Sequence, residues 1–579
     1  MIEMINNTEL AEKVYDSSMF KVCEQCGSCS SACPLTGKND FNIRRVIRHL
    51  ELDLDSEIAD TPIPWSCTTC GRCEEACPNG IKILDIIRYL RQISPEKWMP
   101  QAAPCVLACP AHINIPEYLR LVAEGKTNEA YMLIREKVPF PAILGRVCTR
   151  FCEQKCKRAD VNGAIPICAL KRYIADSENG APKEKLLRTE KDTGRKAAVI
   201  GAGPAGLTAA FYLRKKGHSV TLFEEKSRAG GMLWSAIPAY RLPDEVVQKE
   251  IDNILAVGIE LKTGQKLGRD FDINGLKSRY DAIFIATGGQ LSRKIELEGS
   301  DLTGVLWGVD FLYDVKENRI SALPEKAAVI GGGNVAIDVA LTALRLGAKE
   351  VTLACLEKPE EMPANIWEIE QALEEGVKLM TSWGPVRVTG ENNAATGITL
   401  RRCSSVFDKE GRFNPVYDDA VQTTIAADTI ILAIGQAADL SFVKGDLKVA
   451  RGLIAVDETQ QTGIPGVFAG GDAAKAPGTI IEAIAQGRTA ASAIDRYLGG
   501  NGMIVETFIE TPDRPITERR EKGFADQKRT EPSSIDIGER KNNFKEVESA
   551  FDAGHAVCEA QRCFGCDLEI AYCKKVKTG

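Results

Sequence analysis

KAAVIGAGPAGLTAAFYLRKKGHSVTLFEE, residues 196–225, reads as a strand, a glycine turn, a helix and a second strand. The three glycines of the turn serve differently, since Gly201 makes the tight bend, Gly203 lets a pyrophosphate approach the backbone, and Gly206 lets the helix pack close. Glu224, just past SVTLF, is placed to accept the 2′-hydroxyl of an adenosine ribose. The same order returns in KAAVIGGGNVAIDVALTALRLGAKEVTLACLE, residues 326–357, with Gly331, Gly333 and Ala336 at the three turn positions and Asn334 between them. Two dinucleotides are therefore expected.

Outward from these turns, YDAIFIATGG (280–289), ADTIILAIGQ (427–436) and GVFAGGDAAKAPGTIIEAIAQG (466–487) bracket the second fold. The first fold is expected to be completed by chain from beyond residue 420, with the second inserted into it. In two-dinucleotide flavoproteins of this layout the outer domain holds FAD and the inserted one holds nicotinamide. Asp472 would face the ribitol and pyrophosphate end of the flavin, in a site that also takes in Gly231, Gly471 and Thr479. The expected fold class is α/β: two Rossmann-like dinucleotide-binding domains, one inserted in the other, preceded by two mainly α-helical iron-sulfur domains. The expected divisions are 1–97 and 98–190 for the two iron-sulfur domains, 195–310 with 420–500 for FAD, 311–419 for NAD, and 501–579 for a tail returning to the 98–190 domain.

The 20 cysteines carry the rest of the reading. Without a leader sequence the chain is expected in a reducing cytosol, where clustered thiols bind metal more often than they pair. CEQCGSCSSACP places Cys23, Cys26, Cys29 and Cys33 in the spacing CxxCxxCxxxCP, and CTTCGRCEEACP repeats it with Cys67, Cys70, Cys73 and Cys77. That is the spacing of two-cluster bacterial ferredoxins, in which the fourth Cys, before Pro34 or Pro78, crosses to the other cube. Zinc sites usually pair CxxC units and have no use for that fourth position. Between the motifs Ile43, Val46, Ile47 and Leu50 fall at helical spacing. Cys355, Cys403 and Cys558 stand apart and read as packed or incidental thiols.

Two resemblances follow. NIRRVIRHL and WSCTTCGRCEEACPNGIKI resemble the helical two-cluster subunit of heterodisulfide reductase, which implies an electron conduit docking a redox partner protein. The nucleotide half resembles the small subunit of glutamate synthase, the large subunit of the NADH-dependent ferredoxin:NADP oxidoreductase and the N-terminal part of dihydropyrimidine dehydrogenase, through the motifs above together with GGMLWSAIPAYRLP (230–243) and EEMPA (360–364). Members of that family that use NADPH carry two arginines where this chain has Leu356 and Glu357. A carboxylate there repels a 2′-phosphate and accepts a hydrogen bond from a free hydroxyl, so NAD(H) is expected over NADP(H).

The family also carries, at its N-terminus, a segment of the form ERxxNFxEV followed by EAxRCLxC. Here ERKNNFKEV stands at 539–547 and EAQRCFGC at 559–566, beyond the nucleotide domains. The resemblance thus implies that Cys563 and Cys566 return to join Cys105 and Cys156 around one cube, while Cys109, Cys148 and Cys152 hold three corners of another. For its fourth corner relatives use Glu or Gln where this chain has Lys171, so Cys168, on the same helical face, is the choice, and Cys573 is left over as a second option for the first cube. The total is four 4Fe-4S clusters.

Composition narrows the class. A net charge of -7 argues against a nucleic-acid partner, and no apolar run reaches the length of a membrane span. The opening MIEMINNTELAEK mixes acids into the place of a signal peptide, so a cytoplasmic protein is expected. His49, His112, His218 and His555 are scattered, and no catalytic constellation for hydrolysis or group transfer emerges. RRCSS (401–405) and ERREK (518–522) read as solvated charge. The expected function is an NADH:acceptor oxidoreductase subunit moving electrons between NAD(H), FAD and the clusters within a hetero-oligomeric complex. The alternative is a glutamate synthase small subunit, against which the added N-terminal domain speaks.

Overall fold

In the computed structural model, which describes residues 18–475, 478–516 and 519–578, two parallel sheets carry the glycine turns. β1 (Lys196–Ile200), β2 (Ser219–Phe223), β3 (Glu260–Lys262) and β4 (Ala282–Ile285) join β17 (Val467–Ala469) in the order β17-β4-β1-β2-β3. The inner strands are buried on both faces, which is why they read as continuous apolar runs. Between β1 and β2 the helix Pro204–Lys215 starts on Pro204, whose missing N–H costs nothing there, and ends at Gly217, whose φ of +87° suits the left-handed turn after a helix. β17 pairs with β4 from more than one fold away in the chain, so the outer domain is discontinuous.

The second sheet has the order β6-β13-β7-β8-β9, built from β6 (Val305–Trp307), β7 (Lys326–Ile330), β8 (Glu350–Cys355), β9 (Lys378–Thr381) and β13 (Thr429–Leu432). Here the expected divisions at 310 and 420 need correction. The strand 429–432, from ADTIILAIGQ, lies beside β7, with Ile431 opposite Val329, and 305–307 pairs along its other edge, so both belong to the inserted fold. Hydrogen bonding to β7 decides this, and the glycine-rich strand ends alone could not. An antiparallel sheet of β10 (Trp383–Glu391), β11 (Ala394–Phe407) and β12 (Phe413–Ala426) stands between β9 and β13, and the short pairs β5–β14 (Leu291–Ser292 with Gln436–Ala437) and β15–β16 (Val449–Ala450 with Leu453–Ile454) finish the strand content.

The chain on either side is helical. The helix Ile43–Glu51, capped where Asn42 accepts from the Arg45 N–H, buries Ile43, Val46, Ile47 and Leu50 between the two N-terminal cysteine motifs. The helices Pro141–Val147 and Ile167–Asp176 pack on the first nucleotide fold, and at Gly145 any side chain would strike the Arg172 backbone at 2.5 Å. The last two helices, Ala553–Gln561 and Cys566–Thr578, fold back onto these domains. The opening MIEMINNTELAEK lies outside the described residues. Among those described, no helix is long and apolar enough to cross a membrane.

Candidate functional site

One cavity of about 1160 Å³ takes in both glycine turns: Gly201 and Gly203 on one side, Gly331, Gly333 and Asn334 on the other. It exceeds the ~300–1,000 Å³ of ordinary ligand pockets. The turns are cut to leave the backbone bare. A Cβ at Gly201 would lie 2.3 Å from the Ala286 carbonyl oxygen, and one at Gly206 would lie 1.9 Å from that of Gly201. At Gly203 the nearest atom is 3.9 Å away, and at Gly333 nothing lies within 4 Å. A side chain at either would therefore enter the cavity, in the space a pyrophosphate needs, so the residues fit two dinucleotides.

The acids expected at the ribose positions stand differently. Glu224 accepts from the backbone N–H of Ala202 (2.8 Å) and Lys226 (2.9 Å), and its burial pushes the carboxyl up. Glu357 turns towards its own glycine turn, where a Cβ at Gly332 would meet its Oε2 at 2.6 Å. Asn334 accepts from the Asn365 N–H at 2.8 Å and so ties the MPAN segment to the turn. Asp472 accepts from Gly478 N–H at 3.1 Å and is raised by burial. Beside it the helix Ile480–Tyr497 opens on a capping box between Thr479 and Glu482, and Thr479 and Ile480 line the cavity. Gly231, at φ +54°, lies so near Gly203 that a Cβ there would be 2.8 Å from its Cα.

The cysteines gather into groups that alternate between the two N-terminal motifs. Cys23, Cys26, Cys29 and Cys77 line one small cavity, and Cys33 has Cys70 and Cys73 among its electrostatic neighbours, as does Cys67. The same backbone bends occur in both motifs: Gln25 and Thr69 take φ +54° and +57°, Gly27 and Gly71 +84° and +88°. Further on, Cys105 has Cys563, Cys566 and Cys156 among its electrostatic neighbours, which brings the last helices against the 105–156 segment. Cys152 has Cys148 and Cys109 beside it, with Lys171 buried among them. Cys168 borders this group, but its thiol donates to the carbonyls of Leu144 and Gly145, both at 3.3 Å. Cys573 is buried against Trp65 and Ile570 in the wall of the N-terminal domain. Cys355 and Cys403 are buried and Cys558 is exposed.

Burial pushes the Cys67 thiol up to about 11 and that of Cys563 up to about 12. A metal that binds them displaces that proton, so cluster loading and folding are linked. Among the described residues no three Cys, His, Asp or Glu side chains meet around a single ion.

Residues 195–487 match the pyridine nucleotide-disulphide oxidoreductase family, just over half of the chain. The chain belongs to that family. Residues 99–182 of this oxidoreductase match the dihydropyrimidine dehydrogenase domain II with a 4Fe-4S cluster, and 19–81 a 4Fe-4S dicluster domain. It is similar to the NADP(+)-dependent formate dehydrogenase subunit beta of Moorella thermoacetica, at 37% identity over 80% of this chain and 70% of that one. It is also similar to the NADPH-Fe(3+) oxidoreductase subunit beta of Geobacter sulfurreducens, at 35% over 80% and 75%, and to the glutamate synthase [NADPH] small chain of Azospirillum brasilense, at 33% over 68% and 86%. The oxidoreductase is thus a flavin- and iron-sulfur-dependent enzyme of pyridine nucleotides.

Sequence reasoning missed the cations that fill the gaps in this oxidoreductase. Lys157 donates to the carbonyl of Trp65 at 2.7 Å and has Cys566 and Cys67 as neighbours, so it stands between the N-terminal domain and the 105–156 segment. Arg158 lies over Phe524 and Phe564, 4.8 and 4.9 Å from the ring centres, with Cys70 and Cys156 nearby. ERREK is not a solvated run at Arg520, which donates to the carbonyls of Thr69 (3.2 Å) and Phe564 (2.5 Å); Glu518 lies outside the described residues. RRCSS likewise fails as a solvated run at Arg401, which lines the nucleotide cavity. Arg241, from the AYRLP stretch, binds both oxygens of Asp338 (2.8 and 2.7 Å) and Glu368 (2.6 Å), clamping one nucleotide fold to the other. None of these cations forms a motif, because each is recruited by a partner distant in the chain.

Proposed function

We propose that this chain is the NADH-oxidising subunit of a larger redox complex, with FAD in the first fold, NAD(H) in the second and four 4Fe-4S clusters. When bound, the flavin takes a hydride from the nicotinamide and releases electrons one at a time to the clusters. The ligand sets are Cys23, Cys26, Cys29 and Cys77; Cys33, Cys67, Cys70 and Cys73; Cys105, Cys156, Cys563 and Cys566; and Cys109, Cys148 and Cys152 with Cys168. Cys168 serves only by giving up its hydrogen bonds to the carbonyls of Leu144 and Gly145.

The observation that carries this reading is the gathering of cysteines from both ends of the chain beside a cavity that holds two glycine turns. Gly203 and Gly333 hold their backbone open to the pyrophosphates, Glu224 and Glu357 offer oxygens to the ribose hydroxyls, and the Arg241–Asp338–Glu368 clamp keeps the two folds in register. The preference for NADH rests on Glu357, against relatives named for NADP(H). The partner protein docks at the N-terminal domain, where Cys26 is exposed. The Moorella and Geobacter relatives named above, each matching over 80% of this chain, are named as beta subunits, which favours a multi-subunit assembly.

Anaerobic titration of the purified chain tests the reading. NADH is expected to bleach the flavin at least about tenfold more efficiently than NADPH, and iron analysis to give about sixteen atoms per chain. Equal efficiency with the two nucleotides refutes the NADH preference.

A further inference from the structure

The antiparallel sheet β10–β12 supplies none of the glycine turns or of the clustered cysteines, yet it lines part of the nucleotide cavity. β8 ends at Cys355, and Leu356 and Glu357 follow as the chain leaves the second fold. Ser382 donates its N–H to the Glu357 carbonyl at 2.8 Å, which holds the start of β10 beside that exit. Two residues on, Gly384 pairs with Arg401 of β11. A Cβ at Gly384 would lie 2.6 Å from Tyr417 Cε1 and 2.8 Å from Leu356 Cδ2. Only glycine lets the Tyr417 ring come this close to the strand exit.

Arg401 is held over that ring, its guanidinium carbon 3.9 Å from the ring centre. Its Nη1 binds Asp419 at 2.7 Å, while its buried Nε has no hydrogen-bond partner. Arg401, Tyr417 and Glu357 all line the cavity. A guanidinium stacked on an aromatic ring offers a planar, weakly hydrated surface, the kind on which a purine base stacks.

We infer that Arg401 and Tyr417 form the adenine seat of the nicotinamide nucleotide, supplied by the β10–β12 sheet next to the ribose carboxylate Glu357. This rests on the assignment of NAD(H) to the second fold. Asp419 binds Arg401 Nη1 and Glu357 lines the same cavity, so two carboxylates oppose the charge of Arg401 toward a 2′-phosphate. Arg401 acts on the base by stacking, and the cation that the Leu356–Glu357 position lacks is not restored for phosphate binding.

Flavin reduction in the full chain is measured with NADH and with reduced nicotinamide mononucleotide, which lacks the adenosine half. Arg401→Ala is expected to raise KM for NADH about tenfold, leave kcat within about twofold, and leave kcat/KM for the mononucleotide unchanged. Arg401→Lys keeps the charge and loses the plane, and is expected to behave like Arg401→Ala. An unchanged KM for NADH in Arg401→Ala overturns the inference. So does an equal loss with both reductants, which marks damage to the fold, and so does recovery by lysine, which marks a role for charge alone. If the unaltered chain is reduced by neither compound, the assignment of the second fold fails, and the inference falls with it for a different reason.

Discussion

Glu224 reaches the glycine turn it serves across 22 positions of chain, whereas Asp567 reaches Arg120 across 447. In the nucleotide half each glycine turn sits within its own strand–turn–helix unit, although β17 and Asp472 reach the first fold from far along the chain. The iron-sulfur half is closed by side chains from opposite ends of the polypeptide. Arg88 and Arg91 hold Glu569 at 2.8 and 3.0 Å, and all three are buried. Arg146 and Arg172 bind Glu546 at 2.7 and 2.9 Å, and the Val547 N–H donates to Tyr240. Damage to the long-range closure should therefore leave nucleotide chemistry intact, and damage to a turn should leave the iron in place.

The sharpest break between the halves is the double variant Cys563→Ser with Cys566→Ser. Iron is expected to fall from about sixteen to about twelve atoms per chain, with flavin reduction by NADH kept within about twofold. Parallel loss of both would erase the distinction. In the opposite sense, Gly203→Ala places a methyl group in the cavity and is expected to abolish retention of FAD while iron analysis stays unchanged, since nothing in the cysteine groups touches that turn.

Glu569→Gln probes the closure itself. Burial would raise this carboxyl, but Arg88 and Arg91 hold it down at about 2. Because the folded value lies below the ~4.3 of a free glutamate, its contribution is full above that pH and is lost as pH falls through about 2. Removing its charge leaves two buried guanidinium groups without their shared carboxylate, at a cost of about 3–5 kcal/mol. The expected outcome is earlier proteolytic release of the last helix, with unchanged KM for NADH. The smallest effect belongs to Lys157→Met. Loss of one positive charge between two groups of cysteines should lower midpoint potentials by an order of 50 mV, about 1 kcal/mol for one electron, read by potentiometric titration followed by electron paramagnetic resonance.

The same contrast explains what can be read from the sequence. Gly201, Gly203, Gly331 and Gly333 are legible because their spacing encodes a local bend, and so is the helix Ile43–Glu51 from its apolar period. Strand 429–432 goes to the wrong sheet in a reading of sequence alone, because apolar strands with glycine ends look alike until a neighbour is known. RRCSS and ERREK are solvated at Arg402, Arg519, Glu521 and Lys522 but mislead at Arg401 and Arg520, since charge clusters carry no sign of which member will be recruited, here by Tyr417 and Thr69. Lys171 beside Cys148 and Cys152 is legible in sequence only as a departure from the Glu or Gln of relatives, and its burial there comes from the packing of Ile167–Asp176 on Pro141–Val147.

The meeting of Cys105 and Cys156 with Cys563 and Cys566 also sets an order in time. A ribosome releases the N-terminal motifs early, and their eight thiols are complete before the glycine turns exist. The cage proposed at Cys105 waits with two of its corners missing until residue 566 has been made. On the proposed ligand sets, iron delivery to this chain is divided into an early and a late act, and a cell short of iron would accumulate molecules whose nucleotide folds are made but not yet wired between them.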